Sequence, residues 1–301
     1  MAAYDRAALR SEPVSAGPPL AEAAGAAIDL SAGGPARAGG DTAITRVLGI
    51  LDLFTPDAPV WTADMLVDHL GLARATIYRY VRALCDAGFL VPVSGAGYVL
   101  GPRFIEFDRN IRLADPLQHI VPPVMAELRP IVNGAQLLCA FYGLRVLTVL
   151  QDRTDPAITM SMERGRPFPL FKGSPSRVIL AHLPTYQLRN LALNHQAEIA
   201  AAGLGRTWTE FRDGMRAIRK AGYLVASDID KSLVGISAPI FHAPGTVAAS
   251  LCLVRRRETV TQADTDALGA VVMEACQRIS AALQAYHPAQ SAAAFPVSRV
   301  R

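Results

Sequence analysis

The 301-residue chain is 51% hydrophobic and 19% charged, enough apolar material for a packed core and too much for a disordered chain. Its 30 basic and 26 acidic residues leave a net charge of +4, a mild excess that permits a nucleic-acid partner without demanding one. Gln136 and Arg145 interrupt the nearest approach to the roughly 18 apolar residues of a bilayer helix, and the N-terminus lacks the basic flank and apolar run of a leader, so a cytoplasmic protein without membrane contact is expected.

Residues 1–40 are a low-complexity run of Ala, Gly, Pro and Ser with too few large apolar side chains to offset ordering entropy, and a disordered tail is expected there. Beyond it, Ile44, Val47, Leu48, Leu51 and Phe54 recur at helical spacing after a cap at Asp41 or Thr42, until Pro56 and Pro59 stop the helix. A second short helix runs over 62–70, opened by Thr62 and closed by Gly71, with Met65, Leu66 and His69 or Leu70 on one side. A third covers 74–87, with Ile77, Val81 and Leu84 inward and Arg74, Ala75, Tyr78, Arg79 and Arg82 on the opposite stripe. Two β-prone runs, 89–93 and 98–100, flank the turn Ser94-Gly95-Ala96-Gly97. Three helices and a hairpin spell a winged helix-turn-helix.

A connecting helix is expected over 102–113, then a helix from Pro116 with Leu117, Ile120, Val121, Val124, Leu128 and Ile131 on one side. Strands are expected at 135–142, 146–151, 157–163, 234–241 and 246–255, and helices at 175–183, 185–194, 209–221 and 262–286. This mixture is α+β, an antiparallel sheet covered by helices.

The arginine stripe carries the first functional argument. From His69 to Cys85 there are three arginines and no acid, and Thr76 and Tyr78 add hydrogen-bonding groups near the helix start, where recognition helices approach base edges. Arg74, Thr76, Tyr78, Arg79 and Arg82 are therefore the candidate DNA-binding residues, because arginine both chelates guanine and grips phosphate. A solvated helix face is the competing reading.

Catalytic and metal chemistry find little support. Cys85, Cys139, Cys252 and Cys276 are no closer than 24 positions, and the six histidines form no i, i+4 pair. Cys252 lies in an apolar run with His242 ten residues earlier, and no Gly-x-Ser-x-Gly elbow surrounds Ser174 or Ser176. Buried thiols, no cofactor, no metal and no enzyme activity are expected.

Thr45-Arg46-Val47-Leu48-Gly49-Ile50-Leu51, the segment from Ala73 to Leu84 and the wing Gly97-Tyr98-Val99-Leu100-Gly101 resemble the DNA-binding half of the IclR family of bacterial transcriptional regulators. Glu163-Arg164-Gly165-Arg166-Pro167-Phe168-Pro169-Leu170 resembles the family's loop ahead of its effector pocket, and Ala221-Gly222-Tyr223 through Ala238-Pro239-Ile240-Phe241 its closing segment. The resemblance spans about 42–283. Departures lie at Phe171, Gly173-Ser174 and Ser176-Arg177, where members usually carry His, Thr-Ala and Gly-Lys, and at Gly235, where many have Cys.

The resemblance implies a winged helix-turn-helix over 41–101, a linker helix over 102–114 and a GAF-like α/β effector-binding domain over 115–286, followed by a flexible tail at 287–301. It also implies a homodimer or tetramer on a palindromic operator in double-stranded DNA, with a small organic effector. Such a pocket would use Ser174, Ser176, Ser237 and Cys252, with the first-turn amides near Pro175 favouring a carboxylate and Asp228 accepting from a ligand hydroxyl. The alternative is a small-molecule sensor acting through protein contacts, against which the arginine stripe argues, since protein interfaces favour aromatic and aliphatic anchors.

Overall fold

The computed structural model describes residues 42–159 and 162–286; the tails expected at 1–40 and 287–301 lie outside them. The first unit begins with α1 (Ala43–Leu51), whose cap Thr42 accepts from the Thr45 amide through its hydroxyl. Helix α2 (Ala63–Leu70) repeats the device with Thr62 and ends at Gly71, whose φ of +64° suits glycine. After a three-residue link, Gly71 to Ala73, α3 (Arg74–Asp86) crosses back, and the hairpin β1 (Leu90–Val93) and β2 (Gly97–Leu100) forms the wing. Ile50, Phe54, Leu66, Ile77, Tyr80, Val81, Leu84 and Leu90 make the core of this unit.

The periodicity of α1 misplaces two residues. Ile44 is 73% exposed and Leu48 57%, while Ile50 is fully buried, because the helix turns Val47, Ile50 and Leu51 toward α3. In α2 likewise Met65 faces solvent, and Ala63 and Leu66 are the buried pair.

Helix α4 (Arg103–Ala114) leads to the second unit and buries none of its side chains. Its first turns rest on the wing base, with the Phe104 ring edge-on and the Phe107 ring tilted against Phe89, at centroid distances of 5.4 and 5.8 Å. Close passage there requires Gly101, since a Cβ at that position would sit 2.2 Å from the Gly88 carbonyl oxygen. Helix α5 (Leu117–Val132) follows, burying Val132 where Ile131 was expected; Ile131 lies outside.

A six-stranded antiparallel sheet organises the second unit in the order β5 (Pro167–Phe168), β4 (Arg145–Arg153), β3 (Ala135–Tyr142), β8 (Thr246–Arg256), β7 (Leu233–Ala243), β6 (Leu224–Ala226). Alternation along β3 and β8 sends Leu138, Ala140, Leu251 and Leu253 to one face and Leu137, Cys139, Cys252 and Val254 to the other. The first face is covered by α5 and by α10 (Gln262–Gln284), which begins in a capping box between Thr261 and Asp264. The second carries α6 (Ser174–Ala181), α7 (Thr185–Asn194), α8 (Gln196–Ala201) and α9 (Trp208–Ala221).

The strand expected over 157–163 does not form at the described residues. Pro156 has no N–H to donate, and the Asp155 carboxylate accepts from the Ala157 amide at 2.9 Å, closing a turn instead. Residues 160 and 161 lie outside the description. Strands β5 and β6 and helix α8, all very short, have no counterpart in the sequence reading.

Candidate DNA-recognition helix and effector cavity

The second helix of the helix-turn-helix presents its arginines to solvent, but not equally. Its inward residues Ile77, Tyr80, Val81 and Leu84 are locked in the core, which aims Arg74, Ala75, Tyr78, Arg79 and Arg82 outward; Thr76 is half-buried. Although the stripe is free of acids in sequence, α2 brings Asp64 to 2.6 Å from the Arg74 guanidinium. Hydrogen bonding to Tyr78 and then the Asp64 charge hold the Arg74 pKa above its ordinary value. Arg82 faces Asp86 one turn along at 3.8 Å. Arg79 instead leans over the Tyr80 ring, 5.6 Å from its centroid, and pairs with no carboxylate among the described residues. It is the stripe's available cation.

The wing is fixed to the helices by a reciprocal backbone pair, Trp61 N to Tyr98 O at 3.1 Å and Tyr98 N to Trp61 O at 2.8 Å. Gly97 allows that approach: a Cβ there would meet the Trp61 carbonyl oxygen at 2.6 Å. No lysine or arginine occurs between Leu90 and Leu100, so the wing brings no cation to a phosphate.

In the second unit, a cavity of about 70 Å³ opens where α6 begins against β7 and β8. Met162, Phe168, Ile229, Leu233 and Val254 form its apolar walls, and Ser174, Asp228 and Cys252 supply polar atoms. Ser174 Oγ lies 2.8 Å from Ser237 Oγ and 3.8 Å from Cys252 Sγ, a buried chain in which hydroxyl and thiol satisfy one another. Burial pushes the Cys252 thiol up, and Cys139 further still, so both stay protonated.

The five residues singled out for the effector are thus separated. Ser174, Asp228 and Cys252 reach the cavity wall, and Ser237 stands one bond behind Ser174. Ser176 lies apart: it is fully buried, outside the wall, and its hydroxyl has no hydrogen-bond partner among the described residues. Two positions along a helix rotate a side chain by about 200°, so Ser174 and Ser176 cannot both face one cavity.

Asp228 has a role of its own. Its carboxylate accepts from the Gly173 amide at 3.1 Å and from Arg177 Nη2 at 2.6 Å, while Arg177 also donates to the Phe171 and Ala202 carbonyls. An acid of this chain therefore already sits at the α6 N-terminus, which favours negative charge. Spacing does not reveal that contact, since it joins residues 55 apart. Among the described residues no group of His, Cys, Asp or Glu is arranged to hold a metal ion, and no helix is long and apolar enough to cross a membrane.

Residues 43–94 match the IclR helix-turn-helix domain, and residues 114–281 match the C-terminal domain of the bacterial transcriptional regulator IclR. The chain belongs to the IclR family. This IclR regulator is 28% identical to the HTH-type transcriptional regulator KipR of Bacillus subtilis over 241 residues, covering 79% of this chain and 95% of KipR. It is 21% identical to the Pca regulon regulatory protein of Pseudomonas putida over 233 residues, 75% of this chain and 78% of that one. Among solved structures, an IclR homologue from Microbacterium hydrocarbonoxydans complexed with 4-hydroxybenzoate superposes with a TM-score of 0.66 at 21% identity, covering 81% of this chain and 100% of that one. An IclR regulator from Silicibacter gives 0.67 at 17% identity, with coverage of 82% and 98%. These likenesses establish the fold, a helix-turn-helix DNA-binding domain followed by an α/β effector-binding domain.

In this IclR regulator Gly235 and Phe171 are both tightly packed. A Cβ at Gly235 would lie 2.9 Å from Ser174 Oγ and 3.3 Å from Cys252 Sγ, so a side chain here would break into the polar chain. Phe171 is buried, with its ring 5.7 Å from that of His195, and its carbonyl takes the Arg177 Nε bond.

Proposed function

We propose that this protein is a ligand-responsive regulator that binds a palindromic operator as a homodimer or tetramer, and that a small organic carboxylate in the β7–β8 cavity alters its operator affinity. In this reading residues 41–101 bind DNA, 102–114 link, and 115–286 receive the effector; the protein works in the cytoplasm, where a bacterial chromosome lies. The observation that carries it is the combination of an outward Arg79, without a carboxylate partner among the described residues, on a recognition helix with a serine-floored cavity in the attached sheet unit. The relatives are regulators, and protonated, buried thiols suit a binding wall rather than a nucleophile.

Cavity size and charge define the ligand. At about 70 Å³ the cavity is half the roughly 150 Å³ in which benzene is accommodated, so a short aliphatic carboxylate fits as it stands and an aromatic one requires Met162 or Ile229 to give way. A ligand carboxylate would compete with Asp228 for the α6 N-terminus, where Ser174 and Ser176 carry the first-turn amides and Pro175 carries none. The Ser174 hydroxyl would orient its polar end.

Footprinting on DNA from the host's own genome tests the DNA half. Protection of two half-sites about 34 Å, or a multiple of it, apart is the expected pattern. For the effector half, 4-hydroxybenzoate and short aliphatic carboxylates are screened by thermal shift. A stabilising ligand whose effect is untouched by Ser174→Ala would rule out this cavity.

A further inference from the structure

The segment that runs from the β4–β5 loop into β5 serves two places at once. Met162 and Phe168 stand in the cavity wall, and Arg164, between them in sequence, reaches the linker helix. Its Nη2 lies 2.6 Å from Asp108 Oδ1 on α4, and its Nη1 donates to the Val149 carbonyl of β4. The loop tip is pinned to the same strand by Gly165 N to Thr148 O at 2.8 Å, and Gly165 turns the chain at φ +83°. Arg164 therefore has a fixed base from which to hold Asp108.

Asp108 is well placed to be held. Its second oxygen takes Arg112 Nε at 2.7 Å, and the Arg164 bond, aided by the Arg164 and Arg112 charges and opposed by burial, keeps its carboxyl below the usual range. It follows Phe107 directly and stands one turn after Phe104, the two rings that seat α4 on Phe89 at the wing base. A helix with no buried side chain of its own is thus gripped by the winged unit at one turn and by the cavity loop at the next.

We infer that Arg164 is the positioning residue through which the effector cavity sets the linker helix, and with it the spacing of the two recognition helices on the operator. The proposal rests on the reading of the cavity as the effector site. A ligand that moves Met162 or Phe168 moves the base of the Arg164 arm, and the pair is kept in one regulatory state and released in the other. The effect on operator affinity equals the ligand's difference in affinity for those states. The pair adds little to folding, since side chains 28% and 42% exposed are screened by water. Its consequence is directional.

A ligand-free double-mutant cycle tests this on the full chain. Operator affinity at fixed salt is measured for Arg164→Gln, Asp108→Asn, the double variant, and the swap that combines Arg164→Asp with Asp108→Arg. Both single variants are expected to shift affinity in the same direction, by roughly three- to thirtyfold, with the double no worse than either and the swap moving back toward native. Simple attraction to DNA predicts the contrary: losing a cation weakens binding and losing an anion strengthens it. Opposite shifts, additive shifts or no shift would overturn the proposal. Because no ligand enters this cycle, its failure counts against Arg164 alone, and the thermal-shift screen judges the effector reading separately.

Discussion

Arg74 and Arg79 share one helix face, and their surroundings divide the labour between them. Arg74 is already committed to Asp64 and Tyr78, whereas Arg79 meets the solvent with only an aromatic ring beneath it. Moving Arg74 onto a base or phosphate would first require breaking the Asp64 contact. Arg79→Ala is therefore expected to weaken operator binding by about 1–3 kcal/mol, the range for one base-reading arginine, and Arg74→Ala by less. Thermal midpoints of both variants should match the native chain, since neither side chain is in the core. A gel-shift titration at fixed salt in which Arg74→Ala is the worse of the two would reverse this order. The stripe itself is legible from spacing, because inward Ile77, Val81 and Leu84 fix the helix phase. What spacing cannot show is the approach of Asp64 from a different helix, or of Asp228 to Gly173 across 55 residues.

Among the elements, α4 stands apart. It carries Phe104, Ile105, Phe107, Ile111 and Leu113 yet buries none of them, and Ile105 is 74% exposed. Exposed Ile44 and Leu48 on α1 add to the apolar surface of the N-terminal half. Apolar faces of this kind mark association sites, and the proposed function seats a second copy of the same chain there, with the symmetry that a palindromic operator would demand. Ile111→Glu should accordingly lower the assembled mass seen by light scattering and abolish tight operator binding together, while the monomer keeps its helical content. Unchanged mass would place the interface elsewhere. Elements with a clear sequence signal, such as the apolar run of β3 and the periodic helix α10, emerge from the sequence with ends correct to within about two residues. The expectation at 157–163 fails because Asp155 and Pro156 enforce a local turn that an apolar count does not weigh. In α1, periodicity alone could not say which of two apolar ridges faces α3, and only packing distinguishes Ile50 from Leu48.

At the scale of the whole molecule, three buried thiols make the fold sensitive to alkali. Burial raises Cys139, Cys252 and Cys276 above their ordinary value of 9.0, the last to about 12. Below pH 9 each thiol is neutral whether the chain is folded or not, and the full stabilisation is present. Above it the unfolded chain ionises while the folded one does not, so stability falls as pH rises, and for Cys276 the fall runs from pH 9 up to about 12, on the order of 1 kcal/mol per pH unit. Thermal midpoints measured across that interval should decline, and decline less steeply in Cys276→Ala. An equal slope in the two proteins would remove Cys276 from the account.

The order of strands in the sheet bears on how the protein is made. Its central pair joins Ala135 to Val254, and β7, β8 and α10 all come from the last quarter of the chain, whereas the winged unit draws its core from residues 50–90 alone. At bacterial synthesis rates roughly 8 to 30 seconds separate emergence of the wing from emergence of β8. During that interval a nascent chain can own a finished DNA-reading head and no sensor to govern it.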